Sequence, residues 1–356
     1  MIKFLYESIL KKAQPKLPRF NSVGEILKWH HRDYECSYLI THECPARCRH
    51  CDFWREKETD AGSTISSIES IFLALRSENF NAINLTGGDP LAHRGFFEIA
   101  DLCARVGFKF ISVNTTGLLL SAKRLERFKN APVNHVVFSL DGSKEIHDFL
   151  RGIPGAHDKV ISSLNALKDY KSLQISFVIM DANYDQIPYV AEVARKFGCK
   201  LTCQPFDLTL SNSSKDRDLL LTDRKKIALL KKDLLSLKND SRYKNVLSPT
   251  LSHIDKIIQY IKDPSSVSTP CIVGHWRTHF EPNGDVFACY PLGKLGNAFE
   301  TDFGKIWNGK LYQTIRGRML RRDCPNCLLN CYTAVNEQVA VWTKKLLVAE
   351  NENSSG

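Results

Sequence analysis

The chain has 356 residues, 43% of them apolar and 25% charged, with a formal net charge of +10. That length holds one large domain with a smaller companion, and no apolar run reaches the roughly 18 residues of a membrane span. The positive balance suggests an anionic partner, but no nucleic-acid motif accompanies it and no nucleic acid is expected.

The first segment, "MIKFLYESILKKAQPK", lacks the continuous apolar core and small-residue cleavage site of a secretory signal. It reads as an amphipathic helix with Ile2, Leu5, Ile9 and Leu10 on or near one face, within an N-terminal extension over 1–33. From 34 to 208 strand-like runs alternate with helices. The strands are "YECSYLI", "AINLTG", "KFISVNTTG", "HVVFSLDG", "LQISFVIM" and "KLTCQPF". Between them "TISSIESIFLALRSEN", "RGFFEIADLCARVG", "AHDKVISSLNALKDY" and "DQIPYVAEVARKFG" carry apolar residues at helical spacing. This pattern predicts a parallel sheet with right-handed crossovers, an α/β fold of the partial (β/α)6 barrel kind. Chemistry in such folds gathers at the C-terminal ends of the strands. Residues 209–268 read as a linker carrying two helices. Over 269–335, "FEPNGDVFACY" predicts a hairpin around Asn283–Gly284, and "DFGKIWN" and "LYQTIRGRML" predict short helices. The tail, 336–356, ends in the polar "AENENSSG".

Twelve cysteines without an export signal point to a reducing cytoplasm, where clustered thiols serve as metal ligands or catalytic groups. Cys36, Cys103, Cys199 and Cys203 lie in apolar patterns and read as core. The others form two groups: Cys44, Cys48 and Cys51, then Cys271, Cys289, Cys324, Cys327 and Cys331. The first follows the first strand at spacing C-x3-C-x2-C. One short loop of that kind can wrap three corners of an iron–sulfur cubane and leave one iron open. Zinc favours paired C-x2-C knuckles and four protein ligands, and fits the loop poorly.

"CPARCRHC" at the end of a first strand resembles the signature of radical S-adenosylmethionine enzymes, and further motifs match in order. "TGGDP" (Thr86–Pro90) resembles the family's "GGEP", with Asp89 in place of the glutamate. "VNTTG" (Val113–Gly117), "SLDG" (Ser139–Gly142) and "HDFLRG" (His147–Gly152) resemble its later segments. The resemblance implies a [4Fe–4S] cluster on Cys44, Cys48 and Cys51, with its open iron chelated by S-adenosylmethionine. Reductive cleavage of that cofactor would give a 5′-deoxyadenosyl radical, which removes hydrogen from an unactivated carbon. Gly87, Gly88 and Asp89 would hold the methionine amino group. Asn114, Ser139 and Asp141 would lie near the ribose and carboxylate, and Arg151 would clamp the carboxylate. A reduced flavodoxin or ferredoxin would be the electron donor.

The second cysteine group resembles the SPASM/twitch extension of such enzymes, which holds auxiliary [4Fe–4S] clusters. The full SPASM pattern has more cysteines and two clusters; five suffice for one. Cys271, Cys289, Cys324 and Cys327 are the expected ligands, with Cys331 as a substitute or a packing residue and structural zinc as the alternative. Such an extension suits oxidation or bond formation. The short cysteine set and the 33 residues before the first strand tilt the expected substrate toward a small polar or anionic metabolite, such as a sugar, cyclitol or phosphorylated compound. A ribosomal peptide maturase is the alternative, and a non-catalytic iron–sulfur scaffold the third. Gln204, Asp207, His42 and Glu43 are expected to face the barrel mouth as candidate catalytic groups, and Trp276, Arg277 and Trp54 could line the pocket.

Overall fold

A computed structural model describes residues 33–55, 64–208, 214–266 and 270–329, together with Glu25; the N-terminal helix, Cys331 and the tail expected from sequence lie outside the described residues. Six strands carry the first half: β1 (Tyr34–Leu39), β2 (Phe80–Thr86), β3 (Phe110–Thr115), β4 (His135–Ser139), β5 (Ser172–Ile179) and β6 (Lys200–Pro205). Each is parallel to its neighbour in sequence. The crossovers contain α1 (Ile65–Ser77), α2 (Phe96–Val106), α3 (Ala122–Asn130), α4 (Lys144–Arg151), α5 (Ala156–Leu167) and α6 (Ile187–Lys196). This is the expected partial barrel.

The strands point alternate side chains to two faces that meet different surroundings. Tyr38, Leu85, Val113, Phe138, Phe177 and Cys203 are buried on the helix side. There Tyr38 meets Phe72 of α1 edge-on at 5.4 Å between ring centres. Ser37, Asn84, Ser112, Gln174 and Thr202 face the other way and line a cavity. The strands therefore present mostly polar side chains to the barrel interior. Cys36, Cys103, Cys199 and Cys203 are core residues, none more than 2% exposed.

Local signals place the helix ends. Thr64 caps α1, accepting from Ser67 N while Ser67 Oγ accepts from Thr64 N. Gly107, at φ 96°, ends α2 in the left-handed conformation. The sequence pattern misses α3, where Phe128 is the one fully buried residue in a charged segment. It also misses α4, most of which overlaps the "HDFLRG" motif.

After the linker helices α7 (Arg224–Asn239) and α8 (Leu251–Lys262) comes a single turn, α9 (Val273–Trp276). Then follow β7 (Arg277–Phe280), β8 (Asp285–Phe287), β9 (Gly296–Asn297), α10 (Phe303–Trp307) and α11 (Lys310–Leu320). The hairpin turns at Asn283–Gly284 as expected; Gly284 has φ 85°, and a Cβ there would lie 2.7 Å from the Phe299 ring. Sequence reading did not foresee where the hairpin goes. Strand β7 pairs in parallel with β1, so the C-terminal segment continues the barrel sheet in the order β6-β5-β4-β3-β2-β1-β7-β8-β9.

Candidate functional site

The loop carrying Cys44, Cys48 and Cys51 leaves β1 and is held by backbone hydrogen bonds on two sides. On one side, Gly88 N donates to Thr41 O and Asp89 N to Glu43 O, both at 2.8 Å. On the other, Arg47 N donates to Arg151 O at 2.9 Å and Arg49 N to Leu150 O at 3.0 Å. The "TGGDP" and "HDFLRG" segments thus grip the cysteine loop between them. The glycines are steric necessities: a Cβ on Gly87 would lie 2.1 Å from Thr41 O, and one on Gly88 2.4 Å from His42 O and Glu43 O. On Gly152 it would lie 2.5 Å from Arg47 O. Gly88→Ala should therefore shift the loop and lower iron retention after anaerobic reconstitution several-fold. Wild-type iron content in that variant would show that the loop yields.

Several residues expected at the cofactor also make contacts within the scaffold. Asp89 is fully buried, and its carboxylate accepts from Leu91 N, Thr115 Oγ1, Thr116 N and Thr116 Oγ1. It ties the end of β2 to the end of β3. Arg151 pairs with the carboxylate of Asp141, with Nη2 2.6 Å from Oδ2. Its Nη1 also lies 3.6 Å from Cys48 Sγ. His147 accepts from Asp141 N at 3.1 Å; burial, then Arg151, hold its pKa down at about 3, so it is a neutral acceptor. Asp148 caps α5 through Gly155 N and His157 N.

Other candidates separate likewise. His42 Nε2 lies 2.5 Å from Glu281 Oε2, and its ring stacks on Phe53 at 5.8 Å, so it ties the cysteine loop to the C-terminal hairpin. Glu43 is exposed. Gln204 lines the cavity. Asp207 is 5% exposed and adjoins the Tyr260 hydroxyl, which donates to Asn326 O within the Cys324–Cys327 loop. It supports that loop and does not line the cavity. Trp54 donates to Cys48 O at 3.2 Å, between the guanidinium groups of Arg47 and Arg55; it backs the cysteine loop outside the cavity. Trp276 and Arg277 do line it, with Arg277 paired to Glu35. Sequence reading missed Thr41 and Glu281, whose roles arise from contacts between distant segments.

The cavity holds about 1030 Å³. It runs from Thr86, Gly87 and Asn114, at the strand ends beside the first cysteine loop, to Cys271, Cys289, Cys324 and Cys327. The four C-terminal thiols therefore line the chamber whose other end lies beside the first cysteine loop. None of the cysteines among the described residues is in a disulfide. Burial, then Asp89, pushes the Cys44 thiol up to about 12, and burial, then Cys48, takes Cys51 to about 11. Thiols so placed ionise readily only against a metal charge. Among the described residues no three His, Cys, Asp or Glu side chains converge on the position of a single metal ion, whereas a cubane takes its thiolates on separate irons. Asn114 Oδ1 is buried without a hydrogen-bond partner, a free acceptor for a hydroxyl at the cavity wall. The donor set and the steric cradle fit an iron–sulfur cluster with a nucleoside cofactor beside it.

A parallel partial barrel whose first strand runs into three gripped thiols, with four more thiols lining its chamber, suits iron–sulfur chemistry. The radical SAM superfamily model matches residues 38–194, and that of an iron–sulfur cluster-binding domain, SPASM, matches 271–332. The chain belongs to the radical SAM superfamily and carries a SPASM domain; its cofactors are a [4Fe–4S] cluster, S-adenosylmethionine and auxiliary iron–sulfur. It is 23% identical to the AdoMet-dependent heme synthase of Methanosarcina barkeri, over 85% of this chain and 93% of that protein. It is 24% identical to the PqqA peptide cyclase of Granulibacter bethesdensis, over 81% and 78%. Its fold is similar to that of Streptococcus suis SuiB, solved with the precursor peptide SuiA: TM-score 0.64 at 16% identity, covering 82% of this chain and 69% of that one. No helix among the described residues is long and apolar enough to cross a membrane.

Proposed function

We propose that this radical SAM enzyme oxidises or cross-links a residue of a peptide. The carrying observation is the single chamber of about 1030 Å³ that joins the cofactor end of the barrel to the C-terminal thiols. Its volume lies just above the small-molecule range of about 300–1,000 Å³, and relatives named for peptide cyclisation and precursor-peptide binding favour the peptide reading. The small sugar or cyclitol expected from sequence gives way for these reasons.

In this reading Cys44, Cys48 and Cys51 hold the first cluster, and Gly87, Gly88, Asn114 and Ser139 line S-adenosylmethionine. Together those groups supply the radical that takes a hydrogen atom from the substrate. Cys271, Cys289, Cys324 and Cys327 hold an auxiliary cluster placed to accept the electron left on the substrate. Asp89, Asp141 and Arg151 fix the loop and strand ends. The work is done in the cytoplasm with a flavodoxin or ferredoxin as donor.

A second reading rests on Lys256 and Arg322, cations on the chamber wall. They suit a carboxylate-bearing ligand, and one relative is named a heme synthase. The test is 5′-deoxyadenosine release by the reconstituted holoenzyme. It would be offered synthetic peptides translated from short reading frames beside the gene, iron coproporphyrin III, or sugar phosphates. Stimulation by a peptide, with a mass change in it, supports the first reading. Stimulation by another class alone transfers the function to that class.

Cys327→Ala should spare substrate-independent cleavage of S-adenosylmethionine while removing product. Product formation at the wild-type rate would sink the electron-accepting role of the auxiliary site.

A further inference from the structure

Five neighbouring strands each place one residue at the same level of the lumen. Pairing sets His279 opposite Ser37, Ser37 opposite Asn84, Asn84 opposite Ser112, and Ser112 opposite His135. All five line the chamber, and Ser37, Asn84 and Ser112 are 7%, 8% and 7% exposed. Thr86 and Asn114 stand two residues further along β2 and β3. The belt is thus one pleat repeat, roughly 6.6 Å, below the level assigned to S-adenosylmethionine.

The belt is polar without being charged. Burial, then Arg277, lowers His279 to about 3, and burial lowers His135, so both rings are neutral at pH 7. One level deeper, Glu35 and Arg277 pair with each other. Asn84 Oδ1, at the centre, is buried and takes no hydrogen bond. A buried acceptor left open costs stability, and folds retain such groups where a ligand completes them. Its neighbours Ser37 and Ser112 can each donate or accept. What completes Asn84 must bring an N–H or O–H, and nothing at this level balances an anion.

We propose that Ser37, Asn84 and Ser112 form a substrate-recognition belt that takes an uncharged amide of the peptide, backbone or carboxamide, with Asn84 Oδ1 accepting its N–H. This deepens the peptide reading and rests on it for the identity of the donor. Asn84 is a binding residue here, with no share in bond breaking.

The test is Asn84→Leu in the reconstituted holoenzyme, which keeps roughly the side-chain volume and removes the acceptor. Its thermal midpoint should rise, because an open buried acceptor is replaced by apolar surface. The Kd for S-adenosylmethionine, read by equilibrium dialysis, should stay at its wild-type value. Peptide-stimulated kcat/KM should fall about tenfold, the loss of one hydrogen bond. A lowered midpoint would make Asn84 a structural residue and overturn the proposal. Undiminished peptide stimulation would overturn it too, by leaving Asn84 to a water. Should no peptide stimulate the wild-type enzyme, the peptide reading falls separately. The belt then stands on the raised midpoint with unchanged cofactor binding, and falls with a lowered one.

Discussion

Cys48→Ala is expected to abolish S-adenosylmethionine cleavage and to remove about four irons per chain, while the C-terminal site stays filled. Cys48 is 4% exposed and sits on a loop whose backbone is fixed at Thr41, Glu43, Arg47 and Arg49. No neighbouring side chain can slide in to replace its thiolate, because the chain there is pinned from both sides. Cys44→Ala and Cys51→Ala should behave alike, since all three thiolates are needed to hold four irons with only one left open to the cofactor. Iron and sulfide analysis, with electron paramagnetic resonance spectra taken with and without S-adenosylmethionine, reads the outcome. A cofactor-shifted signal persisting in Cys48→Ala would show that another residue completes the cluster.

Arg151→Leu should destabilise the protein by about 3–5 kcal/mol at pH 7, the usual cost of stranding one partner of a buried ion pair. That is a large part of the roughly 5–15 kcal/mol that holds a domain together. Asp141 is fully buried. Burial raises its pKa, but the Arg151 guanidinium pulls it below the ordinary carboxylate value. A carboxylate with a lowered folded pKa adds stability that is present above its unfolded value, about 4, and is lost as pH falls through the folded one. In Arg151→Leu burial prevails, the folded pKa moves above the unfolded value, and the folded state takes up a proton. The variant's deficit should thus be largest near pH 7 and shrink toward pH 5, as read by urea unfolding at both. An equal deficit at the two values would mean that Arg151 acts through packing alone.

The two variants separate two tasks that the motifs combine. Cysteines could be assigned from spacing, because a thiolate's function depends on what it is and on how far it stands from the next. "HDFLRG" and "TGGDP" also carry the charged side chains Arg151 and Asp89, whose partners the motifs leave open. In the fold they meet Asp141, Thr115 and Thr116. A side chain's partner depends on which segments pack together, and a motif carries no information about that. Asp207 and Trp54 drew the same kind of expectation and proved to support the two cysteine loops. Gln204, Trp276 and Arg277 reach the chamber because the period of two along a strand fixes their face.

By itself the sequence determined the β/α alternation, the hairpin at Gly284, the core cysteines and the two thiol groups. Each depends on local spacing or on residue chemistry, which survive without knowledge of neighbours. Tertiary structure alone decided that β7 adds to β1, bringing the C-terminal thiols to the end of the chamber away from the first cysteine loop, and that the chamber is continuous. It also decided that two distant motifs grip one loop. These are pairings between segments many residues apart, made by backbone hydrogen bonds that any sequence can offer, and packing selects among them only when the whole chain is folded.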